Sequence, residues 1–144
     1  MHYRFYKSFV VTLLFVTVLG VPYLLFAHGD VTPQLIDTTG LKPLGEEWLE
    51  ENPYRSNKIA IEIGSSAYNQ NCARCHGLGA VSGGIAPDLR KLPEGLEGDE
   101  WYIMRIRNGV VRNGMTYMPA FESIFSQEAM WAIRSWLETV RIDE

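Results

Sequence analysis

The chain has 144 residues, of which 47% are hydrophobic and 21% are charged, and its 13 Lys/Arg against 17 Asp/Glu give a formal net charge of −4. This length suits one domain, and the acidic balance argues against nucleic acid as a partner. The sequence contains only two cysteines, Cys72 and Cys75, so no pair remains for a disulfide once both are used elsewhere.

The first 27 residues have the features of a secretory signal peptide. Arg4 and Lys7 give a basic start, an apolar run occupies residues 9–26, and Ala27 supplies a small residue before a polar segment. Cleavage there predicts a periplasmic protein with no stable membrane insertion. The apolar run is also just long enough to span a membrane, so an uncleaved anchor is the alternative.

Removal of residues 1–27 changes the charge of the chain. The remainder keeps 11 Lys/Arg and all 17 Asp/Glu, a formal charge of −6. An acidic surplus of this size is usually a solvated surface, and it can also steer association with a partner that carries a positive patch.

Residues 28–56 are predicted to form an N-terminal extension that lies over the core. The segment is rich in Pro, Gly and acidic residues, and residues 46–51 could form one or two helical turns that end at Pro53. Full disorder is disfavoured because six apolar side chains can anchor the segment. These are Leu35, Ile36, Leu41, Leu44, Trp48 and Tyr54.

The domain predicted for residues 57–144 begins with a helix. Asn57 can cap this helix, and Ile59, Ile63 and Ala67 recur at helical spacing. The helix leads directly into the next motif.

That motif is Cys72-Ala73-Arg74-Cys75-His76. Two thiols three residues apart can add to the two vinyl groups of one porphyrin, and the adjacent histidine can then ligate the iron. A redox dithiol needs a thioredoxin-like strand before the motif, and zinc needs four ligands; the sequence offers neither. Because no other cysteine exists, the motif predicts one covalently bound haem c per chain.

Two further helices are predicted after the motif. Residues 77–98 form a glycine-rich loop, and a second helix begins at Asp99 or Glu100. Residues 109–119 are predicted to be irregular, and Ser126 can cap a last helix with one apolar face. No segment shows the alternation of a strand, so the predicted fold class is all-α.

The second axial ligand is predicted to be a methionine, because the domain contains no other histidine. Met104 and Met130 fall on helical apolar faces, where packing is the commoner role. Met115 and Met118 fall in a loop, and Pro119 stiffens the turn after Met118, so Met118 is the predicted ligand. An iron with both axial positions filled by protein has no room for substrate, which indicates electron transfer rather than enzyme chemistry.

Other side chains are candidates for contacts with the haem. Arg105, Arg107 and Arg112 can each offer two hydrogen bonds to a propionate, and Asn113 is a further candidate. Five aromatic residues are expected to pack around the haem rather than to relay electrons. These are Trp101, Tyr102, Tyr117, Trp131 and Trp136.

Over residues 57–142 the sequence resembles the class I cytochromes c. The likeness includes the motif at Cys72, the segment Ala86-Pro87-Asp88-Leu89 and the segment Tyr117-Met118-Pro119. It implies several helices around one covalently bound haem.

The resemblance also implies roles for particular residues. The Pro87 carbonyl is expected to accept a hydrogen bond from the ring of His76, and Leu89 is expected to pack on the haem. Gly64 with Tyr68 on the first helix is expected to meet the last helix, where Trp136 supplies the aromatic partner.

Three further segments resemble the small periplasmic cytochromes c of quinoprotein (PQQ-dependent) ethanol dehydrogenase systems: residues 27–34, 45–48 and 100–105. This likeness implies a quinoprotein alcohol dehydrogenase as electron donor and a terminal oxidase or another cytochrome as acceptor. Two alternatives remain. One is a haem enzyme or small-ligand sensor in which Met118 is displaced, and the other is a membrane-anchored cytochrome subunit of a larger complex.

Overall fold

The structure is a computed structural model that describes residues 32–143. The predicted signal peptide lies outside the described residues, as do the first four residues of the extension. Within residues 32–143, no helix is both long and apolar enough to cross a membrane.

Helices dominate the described part of the chain, as the all-α prediction requires. They are α1 (Lys58–Asn71), α2 (Ala73–His76), α3 (Gly95–Asn108) and α4 (Gln127–Thr139). Two short 3₁₀ turns lie at Leu78–Ala80 and Leu89–Lys91, and two strands, β1 (Val110–Arg112) and β2 (Met115–Met118), form an antiparallel hairpin.

Two of the predicted helix starts are confirmed by their capping hydrogen bonds. The Asn57 side chain accepts from the backbone N–H groups of Ile59 and Ala60 at 2.9 and 3.2 Å. The Ser126 hydroxyl accepts from the N–H of Ala129 at 3.2 Å. Each cap satisfies donors that the first turn of a helix leaves unpaired.

The predicted start of α3 at Asp99 or Glu100 is wrong, because α3 begins at Gly95. Asp99 lies inside the helix, and its side chain is fully buried. Its carboxylate binds the Arg134 guanidinium at 2.7 Å and the Arg55 guanidinium at 2.6 Å. In the sequence Asp99 suggests a helix cap. In the structure it forms buried ion pairs that join α3 to other parts of the fold.

The prediction that residues 109–119 are irregular is also wrong, because they contain the hairpin. Val110 pairs with Met118 and Arg112 with Met115, with a bulge after Val110. The turn residues Asn113 and Gly114 have φ values of 50° and 75°. Asn-Gly with positive φ at both positions is the strongest short-range hairpin signal, and it is present in the sequence.

The close contact of α1 with α4 forms the centre of the core. A Cβ atom added to Gly64 would lie 1.9 Å from the Ala132 carbonyl oxygen, so only glycine allows this approach. One turn later, the rings of Tyr68 and Trp136 lie with their centroids 4.5 Å apart. The expected meeting of the first and last helices is present.

The extension lies against the core, but the predicted helical turn at residues 46–51 does not form. The N–H groups of Leu44 and Leu49 donate instead to the side chains of Glu128 and Gln127, each at 2.8 Å. Gln127 also donates to the Glu47 carbonyl at 3.0 Å. Polar side chains from the first turn of α4 thus form hydrogen bonds with backbone groups that would otherwise pair within a local helix.

Five of the six predicted anchors of the extension contact the core. Tyr54 is buried, and four others are partly buried against the core cluster. Leu35 is the exception, with 85% of its surface exposed. Because the extension covers α4, residues 129–137 are buried on all sides of that helix rather than on the single face that its pattern predicts.

Candidate haem site

The Cys72 motif forms one tight helical turn at the end of α1. The N–H groups of Cys75 and His76 both donate to the Cys72 carbonyl, at 3.1 and 3.0 Å. Residues three and four apart lie on the same face of a helix, so the two thiols and the imidazole share one face. Both cysteines are free, with Cys72 partly buried and Cys75 exposed.

Burial raises the pKa of the Cys72 thiol to about 12, and the nearby Cys75 adds to this shift. The thiol is therefore protonated at neutral pH in the polypeptide alone. This raised pKa of Cys72 is the opposite of the lowered pKa that a redox-active thiolate shows.

His76 is oriented by the backbone of a neighbouring loop. Its Nδ1 atom lies 3.0 Å from the Pro87 carbonyl oxygen, which is the contact that the family resemblance implies. A carbonyl oxygen can only accept, so Nδ1 carries the proton and Nε2 keeps its lone pair. A fixed tautomer of this kind is what a metal-ligating imidazole requires.

The loop that carries Pro87 is held by its own side-chain bonds. Arg90 binds Asp88 through two atoms, with an Nη2 to Oδ2 distance of 2.7 Å, and this contact lowers the pKa of Asp88 to about 2. On the other side, the Ser82 hydroxyl donates to the Ala86 carbonyl. Leu89, which follows Asp88, is buried in the core cluster.

Of the two methionines at the ends of β2, only Met118 is shielded. Met118 ends β2 and is partly buried against the core cluster, whereas Met115 leaves 59% of its surface exposed. The next segment is fixed by the Phe121 N–H, which donates to the Ile106 carbonyl at 2.9 Å. Met118 therefore sits on a supported backbone, with its side chain turned towards the packed interior.

Arg105 differs from the other candidate arginines in the environment of its side chain. Arg107 pairs with Glu122 at 2.5 Å and stacks over Trp48, and Arg112 stacks over Tyr117. The Nε atom of Arg105 is the one buried side-chain nitrogen or oxygen within residues 32–143 that has no hydrogen-bond partner.

This buried donor on Arg105 and the surface near the motif both fit a bound haem. A buried N–H without an acceptor is costly, and a haem propionate is a suitable acceptor. The two segments that follow His76 and precede Met118 also expose large apolar side chains, which a flat apolar cofactor can cover. These are Leu78, Val81, Ile85, Val111, Met115 and Tyr117.

Comparisons with known proteins agree on the class of protein. Residues 60–137 match the family described as cytochrome c oxidase, cbb3-type, subunit III. The chain is 61% identical over 130 residues to cytochrome c550 of Pseudomonas aeruginosa, an alignment that covers 88% of this chain and 90% of the relative. No solved structure gives a significant match.

Two longer relatives contain a similar segment. The chain is 40% identical over 86 residues to the quinohemoprotein alcohol dehydrogenase ADH-IIG of Pseudomonas putida, and 29% identical over 77 residues to ADH IIB of the same species. These alignments cover 59% and 54% of this chain but 11% of each dehydrogenase. Taken with the site geometry and the full-length likeness to cytochrome c550, these matches place the chain in the cytochrome c family, as a haem c electron-transfer protein rather than an enzyme.

Proposed function

We propose that the chain is a periplasmic carrier with one haem, which takes single electrons from a quinoprotein alcohol dehydrogenase and passes them to a terminal oxidase or another cytochrome. The observation that carries this proposal is the single turn that joins Cys72, Cys75 and His76, with His76 held by Pro87. A bound haem c supplies the one-electron chemistry, because its iron alternates between ferric and ferrous states.

Six side chains of the site would hold the haem, each by a different contact. Cys72 and Cys75 would provide the two covalent bonds, and His76 would ligate the iron through Nε2. Met118 would ligate the iron through its thioether, and its partial burial supports this role. Leu89 contributes apolar surface, and Arg105 donates its buried Nε–H to a propionate.

The proposed donor is supported by the longer relatives. Two quinohemoprotein alcohol dehydrogenases carry, within one chain, a segment similar to this protein. A separate protein of the same kind is suited to take electrons from a quinoprotein dehydrogenase that lacks such a segment. The segment that the dehydrogenases share with this chain is the cytochrome part. The likeness therefore supports such an enzyme as the electron donor and carries no information on the enzyme's substrate.

The periplasmic location is supported by the signal-like residues 1–27 and by the motif itself, because c-type haem is attached outside the cytoplasm. We expect the exported protein to begin at His28 in the soluble periplasmic fraction. N-terminal sequencing that finds Met1 in the membrane fraction would favour the membrane-anchored alternative.

The experiment for the donor mixes purified ferric protein with a quinoprotein alcohol dehydrogenase and ethanol, and follows the ferrous absorption bands. The expected result is reduction that requires both the enzyme and the alcohol. If dithionite reduces the protein but the enzyme with alcohol does not, the proposed donor is wrong, and the haem assignment is unaffected.

A further inference from the structure

One face of α3 carries an open groove that the haem assignment does not use. Its volume is about 380 Å³. Six residues line it: Leu92, Pro93, Glu97, Glu100, Trp101 and Met104. Four of these lie on α3 at steps of three and four residues, so they form one stripe along the helix.

The apolar side chains of this stripe have no covering element within residues 32–143. Trp101 and Met104 leave 38% and 47% of their surfaces exposed. The core instead takes the opposite side of α3, where Tyr102, Ile103 and Ile106 are buried. The sequence placed Trp101 among the residues that pack around the haem, whereas in the structure it lines the groove. Exposed tryptophan and methionine side chains together are typical of surfaces that bind another protein.

Two acidic side chains flank the apolar ones. Glu97 and Glu100 are exposed, and neither forms an ion pair with any other described residue. Some exposed acids elsewhere in the described part of the chain are paired, as Glu94 is with Arg141 and Glu122 with Arg107. The groove therefore presents two carboxylates without ion-pair partners beside an apolar floor.

The groove also contacts the arginine that we assign to the haem propionate. The Arg105 guanidinium lies 5.5 Å from the centre of the Trp101 ring, within range of a cation–π interaction. A partner seated on Trp101 thus rests on a side chain that contacts the arginine assigned to the propionate.

We propose that this groove is a docking surface for the electron donor, and that the donor's contact surface places basic side chains around an apolar one. The carboxylates of the groove favour basic side chains on the donor, and the exposed Trp101 and Met104 favour an apolar side chain between them. This inference rests on the proposed function, because the donor is the quinoprotein dehydrogenase named there.

The test compares two pairs of charge reversals. Glu97→Lys with Glu100→Lys changes the groove, and Glu46→Lys with Glu47→Lys makes the same change at exposed positions of the extension. We expect the groove pair to lower the second-order rate of reduction by the dehydrogenase at low salt by at least about tenfold and to flatten its salt dependence. The extension pair should stay within about threefold of wild type, and ascorbate should reduce all proteins equally.

A second pair tests the apolar floor. Trp101→Gln with Met104→Gln should slow reduction by the dehydrogenase at every salt concentration. Leu35→Gln, at an exposed apolar position of the extension, should leave the rate unchanged.

Binding without electron transfer gives an independent measurement. With alcohol omitted, addition of the dehydrogenase to labelled cytochrome should shift the NMR signals of the Trp101 indole N–H and of the Glu97 and Glu100 amides. Shifts confined to the Cys72–Cys75 turn, or groove variants that are reduced as fast as wild type, overturn the groove as the docking surface. Wild-type protein that is neither bound nor reduced overturns the donor itself, and the inference falls with it.

Discussion

The contact between His76 and Pro87 sets the chemistry of the site at the scale of single residues. Because the Pro87 carbonyl can only accept, the 3.0 Å contact assigns the proton to Nδ1 and leaves Nε2 available. The backbone beside His76 is also held, since the Tyr68 hydroxyl donates to the Gly77 carbonyl at 2.9 Å. Burial raises the pKa of Tyr68, so this hydroxyl remains a donor throughout the physiological pH range.

Substitution of the two β2 methionines tests the second ligand. Met118→Ala should abolish the weak near-infrared band of the ferric protein and lower the midpoint potential, because a thioether favours ferrous iron. Met115→Ala should do neither, since Met115 is exposed. Absorption spectra and a redox titration of both variants measure this, and the opposite assignment of effects would identify Met115 as the ligand.

Arg105→Gln tests the proposed propionate contact through pH. A guanidinium lowers the pKa of a bound carboxyl group, so wild type should keep its propionate ionised and its potential constant around neutral pH. Loss of Arg105 raises the propionate pKa. Ionisation of the propionate favours ferric iron, so the potential of the variant should fall as the pH rises through that higher pKa. A redox titration at several pH values measures the slope, and Arg112→Gln, at an exposed position, is the control.

At the scale of elements, α4 organises the molecule. Its backbone at Ala132 meets α1 at Gly64, and its first turn binds the backbone of the extension through Gln127 and Glu128. Arg134, which is 1% exposed, joins α4 to Asp99 on α3. The extension is therefore part of the folded domain, and its removal would leave buried polar groups without partners.

The crossing of α1 and α4 predicts a large effect of Gly64→Ala. The added methyl group would lie 1.9 Å from the Ala132 carbonyl oxygen, which is backbone and cannot rotate away. We expect a loss of about 3 kcal/mol in the free energy of unfolding. Gly83→Ala meets no atom within 4 Å and should change stability by less than about 0.5 kcal/mol. Chemical denaturation of the two variants measures the difference, and equal stabilities would contradict the close crossing.

Asn52→Ala tests the attachment of the extension. Asn52 is buried, donates to the Ser135 hydroxyl at 3.0 Å and accepts from the Tyr54 N–H at 3.0 Å. Its loss leaves the Tyr54 N–H unsatisfied, which costs about 1–3 kcal/mol. Denaturation midpoints should show this cost, whereas Asn69→Ala, at an exposed site on α1, should be close to neutral. A neutral Asn52→Ala would mean that the extension is loosely held.

At the scale of the whole molecule, the parts of the structure that are visible in the sequence are those set by neighbouring residues. The Cys72 motif requires only five consecutive residues, and the caps Asn57 and Ser126 require only the following turn. The start of α3 could not be inferred in this way, because the role of Asp99 depends on Arg134, which is 35 residues away. The path of the extension likewise depends on side chains about 80 residues later.

The hairpin is a different case. Asn113-Gly114 signals the turn locally, but the strands have only three and four residues and a bulge interrupts their alternation. Short strands of this kind give almost no periodic pattern. The hairpin can therefore be predicted from its two turn residues but not from the sequence pattern of its strands.

The covalent attachment of one haem is the central claim, and the intact mass of the purified exported protein after denaturation tests it most directly. We predict the mass of the polypeptide plus one haem, retained when the fold is lost, with a pyridine haemochrome spectrum of two thioether bonds. The double variant Cys72→Ala with Cys75→Ala should retain none. A denatured wild-type protein with the mass of the bare polypeptide would contradict the account.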